Sequence, residues 1–193
     1  MSSKSGHFYK DFVFSGFGGQ GILISGTLLC YAALKEGREV TFFPSYGVEM
    51  RGGAANCFIV ISDNKIGSPI PSSPEYGVIM STPALDRFQN VVKKDGILFI
   101  NDDIVQRDDV TRNDVKKFFV SANKVSTEAV GNDRLANMVI LGYLVEMTGC
   151  VKLQSLLASI KDVVSEKHKR FIPLNEKAIL AGAELYKSKG ELS

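Results

Sequence analysis

Six residues constrain this chain more than any others: Gly16-Phe17-Gly18-Gly19-Gln20-Gly21. They follow the apolar run Phe12-Val13-Phe14 and open onto residues 22–34, an apolar segment of helical length. Glycines at the first, third and sixth positions permit a tight strand-to-helix turn. They let backbone approach a ligand and let the helix pack closely on its strand. The first N–H groups of that helix have no intrahelical partners and lie at its positive dipole end, where a phosphate or other anion is favoured. The pattern predicts an α/β domain that begins strand, glycine loop, helix.

G-x-G-x-x-G by itself is weak evidence for a bound nucleotide. A dinucleotide site also wants an acid about 20 positions on, at the carboxyl end of the second strand, to hold a ribose. The predicted second strand is 39–43; Glu39 stands at its start, and Pro44-Ser45-Tyr46 beyond its end carry no carboxylate. That counts against NAD or a flavin dinucleotide. Next comes Tyr46-Gly47-Val48-Glu49-Met50-Arg51-Gly52-Gly53, with Glu and Arg two apart and framed by glycines. Such a loop lies at the ligand-binding edge of an open α/β sheet. On residue chemistry alone it reads equally well as a surface turn with solvated charges.

With 193 residues the chain is long enough for one domain with a sizeable core. We expect a single domain over 1–193, with flexible tails at 1–8 and 188–193. Net charge is +2, from 23 basic and 21 acidic side chains, which gives no electrostatic case for nucleic acid. Cys30, Cys57 and Cys150 are far apart and form no C-x-x-C pair, so this chain shows neither a zinc nor an iron–sulfur pattern. Buried, reduced thiols fit a cytoplasmic protein. No apolar run reaches the length of a membrane span, and the first ten residues lack a signal-peptide core.

The periodicity predicts further strands at 54–62, 76–80, 97–100 and 118–120, with a short return strand from Ile66 after the turn Asp63-Asn64. Residues 67–74 carry three prolines and read as an irregular loop. A helix should start near Pro83 and run to Val92, and the charged stretch 107–117 reads as surface. From Thr127 the pattern turns helical: a nearly all-round apolar helix ends at Gly149, and amphipathic segments follow at 153–166 and 174–187. The fold class expected is α/β: a three-layer α/β/α, Rossmann-like domain with a mixed, mainly parallel sheet and a helical C-terminal third.

Few residues promise chemistry. His7 lies in a polar tail and His168 in a basic cluster, neither with a nucleophile or carboxylate at useful spacing. Asp102-Asp103 and Asp108-Asp109 read as loop acids. No G-x-S-x-G elbow or P-loop is present. Asn132 or Asp133 reads as a helix cap and Asn137 as a core-facing amide.

Together these residues resemble a known family. Gly16-Phe17-Gly18-Gly19-Gln20-Gly21, then Tyr46-Gly47-Val48-Glu49-Met50-Arg51-Gly52-Gly53 and Ile61-Ser62-Asp63, look like the gamma subunit of 2-oxoacid:ferredoxin oxidoreductases, the module that also forms the gamma domain of pyruvate:ferredoxin oxidoreductase. Pro83-Ala84-Leu85-Asp86-Arg87, Gly131-Asn132 and Asn137-Met138 extend the likeness, which covers roughly residues 12–180. Ala54-Ala55-Asn56-Cys57 with Gly67-Ser68-Pro69 looks most like the 2-oxoglutarate branch.

The resemblance implies an assembly that oxidatively decarboxylates a 2-oxoacid (2-oxoglutarate, else pyruvate) with coenzyme A to acyl-CoA, carbon dioxide and reduced ferredoxin. Thiamine diphosphate, magnesium and iron–sulfur clusters would sit on alpha, beta and delta subunits, leaving this chain without catalytic residues or metal and inactive alone. Its cofactor-facing residues would be Gly16, Gly18, Gly19, Gln20 and Gly21, receiving an anionic part of coenzyme A, and Tyr46, Glu49, Arg51, Gly52 and Gly53, facing a partner near the shared active site. Two other readings stay open: a free-standing dinucleotide-binding oxidoreductase, and a non-catalytic α/β interaction module.

Overall fold

The computed structural model describes residues 7–46 and 54–190. β1 (Tyr9–Phe17) leads through the glycine loop into α1 (Ile22–Lys35), followed by β2 (Glu39–Tyr46), β3 (Ala54–Ser62) and β4 (Tyr76–Ile79). α2 (Thr82–Phe88), β5 (Ile97–Asn101), β6 (Lys116–Val120) and α3 (Ala122–Val130) come next. α4 (Ala136–Thr148), α5 (Leu153–Val163) and α6 (Ile172–Gly190) complete the chain.

The strands form one sheet in the order β2-β3-β1-β4-β5-β6. β1 pairs in parallel with β4, β4 with β5 and β5 with β6, whereas β3 runs antiparallel to both β1 and β2. Five strands therefore share one direction, and the mixed, mainly parallel sheet expected from sequence is present. The antiparallel member differs from expectation. It is β3 itself, full-length partner of β1 from Tyr9↔Ser62 to Phe17↔Ala54, and Ile66 begins no strand. Pro44 lies within β2, opposite Cys57; a residue without an N–H is tolerated there because β2 is an edge strand.

Alternation along β1 and β5 divides the interior in two. Phe12, Phe14 and Phe99 face the larger core with α1, α4, α5 and α6; Val13, Leu98 and Ile100 face a smaller one under α2. α4 is buried nearly all round because it lies between the sheet, where Tyr143 meets Phe99 and Phe118, and α6. Its contact with α6 is glycine-mediated: a Cβ on Gly142 would strike the Ile179 carbonyl, and one on Gly182 the Val139 carbonyl.

Other boundaries shift for physical reasons. α2 stops at Phe88, short of Val92, and the 107–117 stretch is not all solvated surface. Val110 and Val115 seal the smaller core, and Arg112 donates from Nη1 to the carbonyls of Gln89 (2.5 Å) and Val92 (3.0 Å). α3 starts five residues before Thr127, and α6 includes Pro173 and continues through 188–190. Phe8, in the expected N-terminal tail, packs on the larger core under the Arg38 guanidinium, 3.3 Å from its ring centroid. Among the described residues no helix is long and apolar enough to cross a membrane.

Candidate functional site

The parallel strands all end at one edge, and the chain diverges between two of them. β1 continues through α1 to β2 on one side, while β4, β5 and β6 follow in order on the other. In open α/β sheets the crevice at such a switch point is where ligands bind. The glycine loop stands at this point.

Local contacts fix the loop. Phe17 and Gln20 close a turn through Gln20 N–H to the Phe17 carbonyl (3.1 Å). The Gln20 side chain holds both neighbours: Oε1 accepts from the Phe17 N–H (2.7 Å), and Nε2 donates to the Met80 carbonyl at the end of β4 (3.0 Å). Gly16 is buried beneath this clamp; an added Cβ would lie 2.6 Å from Gln20 Oε1 and 2.9 Å from Met80 Cβ. Gly18 and Gly19 are exposed, Gly19 with φ +101° and open space around it. Gly21 caps α1 with φ +73°, so no side chain of its own satisfies the first N–H groups of the helix.

Gly21 is also where a distant helix meets the loop. Asn137, in the first turn of α4 and 4% exposed, donates from Nδ2 to the Gly21 carbonyl (3.2 Å) and to Ser25 Oγ (3.0 Å). Ser25 Oγ donates to the same carbonyl (3.1 Å). A Cβ on Gly21 would collide with the Asn137 amide, so the glycine answers both a left-handed backbone and a close approach.

Between loop and helix lies a polar cleft of about 170 Å³, lined by Gly19, Gln20, Met80, Asn123, Asp133, Arg134, Ala136 and Asn137. Its far wall is organised by buried Asn101 at the end of β5, which donates to Asn123 Oδ1 (2.7 Å) and accepts from the Ala122 N–H (3.3 Å). Asn132 caps the turn carrying Asp133 and Arg134, accepting from the Arg134 N–H (3.0 Å). Chemically this is a small, hydrogen-bond-rich hollow of phosphate size, with one guanidinium and one carboxylate, Arg134 and Asp133, in its lining.

Of the sequence-derived site residues, Gly16, Gly18, Gly19, Gln20 and Gly21 come together here. Tyr46 ends β2; its side chain, and Gly47, Glu49, Arg51, Gly52 and Gly53, lie outside the described residues. The strands on either side, ending at Tyr46 and starting at Ala54, reach the same edge, since Ala54 pairs with Phe17. Asn132 caps and Asn137 faces the core, as expected. The contributions of Met80, Asn101, Asn123 and Arg134 were not legible, and no local motif marks them.

β3 intervenes between β1 and β2, so the end of β2 stands two strand spacings from the loop, about 10 Å. Glu39 is at the opposite end of β2, paired with Ser62. No β2 acid can reach a ribose at the loop. The histidines stay out of the cleft: His7 Nδ1 lies 2.9 Å from Asn64 Nδ2, and His168 Nδ1 3.0 Å from Ser165 Oγ. The cysteines are dispersed and buried. Burial pushes the Cys30 thiol up to about 12 and Cys150 to about 11, and raises Cys57 as well, with Cys30 nearby adding to it. Their positions do not fit a cluster ligand set, and no group of three or more metal-ligating side chains converges among the described residues.

Residues 11–185 match the pyruvate ferredoxin/flavodoxin oxidoreductase family. The chain is 32% identical over 193 residues to 2-oxoglutarate synthase subunit KorC of Methanocaldococcus jannaschii, covering 100% of both. It is 38% identical over 160 residues to the KorC subunit of Methanothermobacter thermautotrophicus, covering 80% of this chain and 85% of that one. In structure it is similar to the keto/oxoacid ferredoxin oxidoreductase gamma subunit of Geobacter sulfurreducens, with a TM-score of 0.79 and 27% identity over 93% of this chain and 99% of that one.

Proposed function

The chain belongs to the pyruvate ferredoxin/flavodoxin oxidoreductase family as a gamma-type subunit, and from that premise we propose that it serves a multi-subunit enzyme acting on 2-oxoglutarate with coenzyme A and ferredoxin. The observation that carries this reading is the end-to-end match to a 2-oxoglutarate synthase subunit, reinforced by a gamma-subunit fold over nearly the whole chain. In this proposal alpha, beta and delta subunits hold thiamine diphosphate, magnesium and the iron–sulfur clusters. Those groups supply the carbon–carbon cleavage and electron transfer, and the present chain supplies positioning.

The part of coenzyme A that suits this chain is a phosphate. Gly18, Gly19 and the first N–H groups of α1 would present donors, Arg134 a counter-charge and Asn123 a further amide, while the cleft is too small for the whole cofactor. One observation favours a second reading, in which the loop only completes the fold: both ends of the Gln20 amide are already engaged within the chain.

Calorimetric titration of the isolated chain with coenzyme A separates them. Gly19→Asp, which adds a carboxylate over the loop and also strains its left-handed backbone (φ +101°), and Arg134→Ala, at an exposed position free of that strain, should each weaken binding about tenfold, a change of ~1.4 kcal/mol. Equal binding by all three proteins, or none by the parent chain, would assign the loop to structure. For the substrate, the purified assembly should show its highest kcat/KM with 2-oxoglutarate; a preference for pyruvate would overturn that choice.

A further inference from the structure

An apolar concavity lies beside the polar cleft, on the other side of the turn at 132–135. It is a groove of about 450 Å³ whose apolar floor and walls are Leu135, Val163, Val164 and Leu174. Ile24, from the first turn of α1, and Phe171 stand at its mouth, 36% and 39% exposed. Two large apolar side chains left this open make it a surface groove, the form that accepts a chain segment.

The strap along one side of the groove is net basic. The 3-10 strap over residues 166–171 carries Lys167, Lys169 and Arg170 against Glu166. Glu166 pairs with Lys169 (2.6 Å), and the Arg170 guanidinium lies 4.8 Å from the Phe171 ring centroid. The facing first turns of α1 and α6 contain no acidic residue. An apolar centre with an aromatic and an arginine at its rim is the composition of a protein–protein hot spot. Here the rim calls for carboxylates on the partner.

We propose that this groove docks an apolar, acid-flanked segment of a fellow subunit of the oxidoreductase, an inference that rests on the subunit reading above. The occupant seats apolar side chains against Ile24 and Phe171 and places Asp or Glu beside Lys167 and Arg170. The same turn serves both concavities: Asn132 and Leu135 face the groove, and Asp133 and Arg134 line the cleft. A partner docked here therefore braces the wall that carries the cleft's guanidinium, so assembly and anion binding act on one four-residue element.

The test uses the complete co-expressed assembly with the gamma chain tagged. Phe171→Glu and Ile24→Glu should each lower the fellow subunits co-eluting with it about tenfold. The double reversal Lys167→Glu/Arg170→Glu, at exposed positions outside the core, should do so at low salt, where the parent complex is tightest. Leu180→Glu, equally exposed on a different face of α6, should assemble like the parent. Thermal melts of the isolated variants matching the parent exclude misfolding, and slowed amide exchange over 163–174 in the parent complex should map the contact. Assembly unchanged by the groove substitutions and the charge reversal alike would overturn the proposal. So would a homodimer of the isolated chain that Phe171→Glu dissolves. A parent chain that binds no fellow subunit would instead overturn the subunit reading itself.

Discussion

Asn137 and Gly21 show how a single contact couples sequence-distant parts of the site. They are 116 positions apart, yet the amide of one is packed against the α-carbon of the other. Gly21→Ala should cost about 1–3 kcal/mol for the left-handed backbone alone, and more because the new methyl displaces Asn137. Asn137→Ala should cost a similar amount through two lost hydrogen bonds. In the double variant the clash is gone, so urea denaturation should give a total below the sum of the singles; strict additivity would mean the two residues do not share the contact. The same separation explains what was legible. The glycine loop is contiguous and could be read directly, and Asn137 stood out as a polar residue in an apolar helix, while Asn123 and Arg134 are brought to the cleft by tertiary packing and carry no local signature. A second residue-scale prediction concerns Asp11, buried at the opposite end of β1. Burial raises its carboxyl pKa, opposed in part by the Glu75 N–H at 2.7 Å. The native state thus holds the proton above the unfolded carboxylate value of about 3.9, and this group's contribution to stability falls as pH rises through that window. Asp11→Asn keeps the acceptor oxygen and removes the charge. Its urea midpoint should gain on the parent between pH 3 and pH 7; a constant difference would refute the assignment.

Among elements, α4 and α6 make the closest approach. Gly142 faces the Ile179 carbonyl and Gly182 faces Val139 and the Tyr143 N–H, so each helix offers a gap that the other's backbone fills. Alanine at either position has no flexible side chain to push aside. Although alanine favours helix, Gly142→Ala and Gly182→Ala should each destabilise by about 1–3 kcal/mol or more through overpacking, visible as a lower thermal midpoint. A neutral or stabilising result would show that the helices separate freely. The apolar all-round pattern of α4 was readable because burial on every side leaves no polar stripe. α3 was largely missed because only Ala122 and Ser126 of its nine residues are buried, too few to set a period. The antiparallel strand was misplaced for another reason. Asp63-Asn64 looks like a hairpin turn, but β3 already satisfies β1 and β2 along its whole length, and the chain after Ser62 has no free strand edge to pair with there.

For the molecule as a whole, the unequal cores raise the question of whether they melt together. The smaller one has α2 and the 105–115 segment over it, while the larger one holds residues of α1, α3, α4, α5 and α6. They are nevertheless two faces of the same strands: Val13 lies between Phe12 and Phe14, and Phe99 between Leu98 and Ile100. Uncovering one face exposes the backs of strands that the other face needs, which makes separate unfolding costly and favours one cooperative unit. The chain has no tryptophan, and of its six tyrosines buried Tyr76 and Tyr143 and part-buried Tyr186 belong to the larger core, so changes in tyrosine emission report chiefly on that side. Leu85→Ala truncates a fully buried side chain in the smaller core and Leu144→Ala one in the larger; each should cost about 2–5 kcal/mol. If the sheet couples the cores, Leu85→Ala moves the tyrosine and far-ultraviolet dichroism transitions to lower urea together, just as Leu144→Ala does. An early dichroism phase in Leu85→Ala with the tyrosine transition left in place would show that the α2 side unfolds on its own, and that the glycine loop, clamped to the end of β4, sits on the seam between two independent halves.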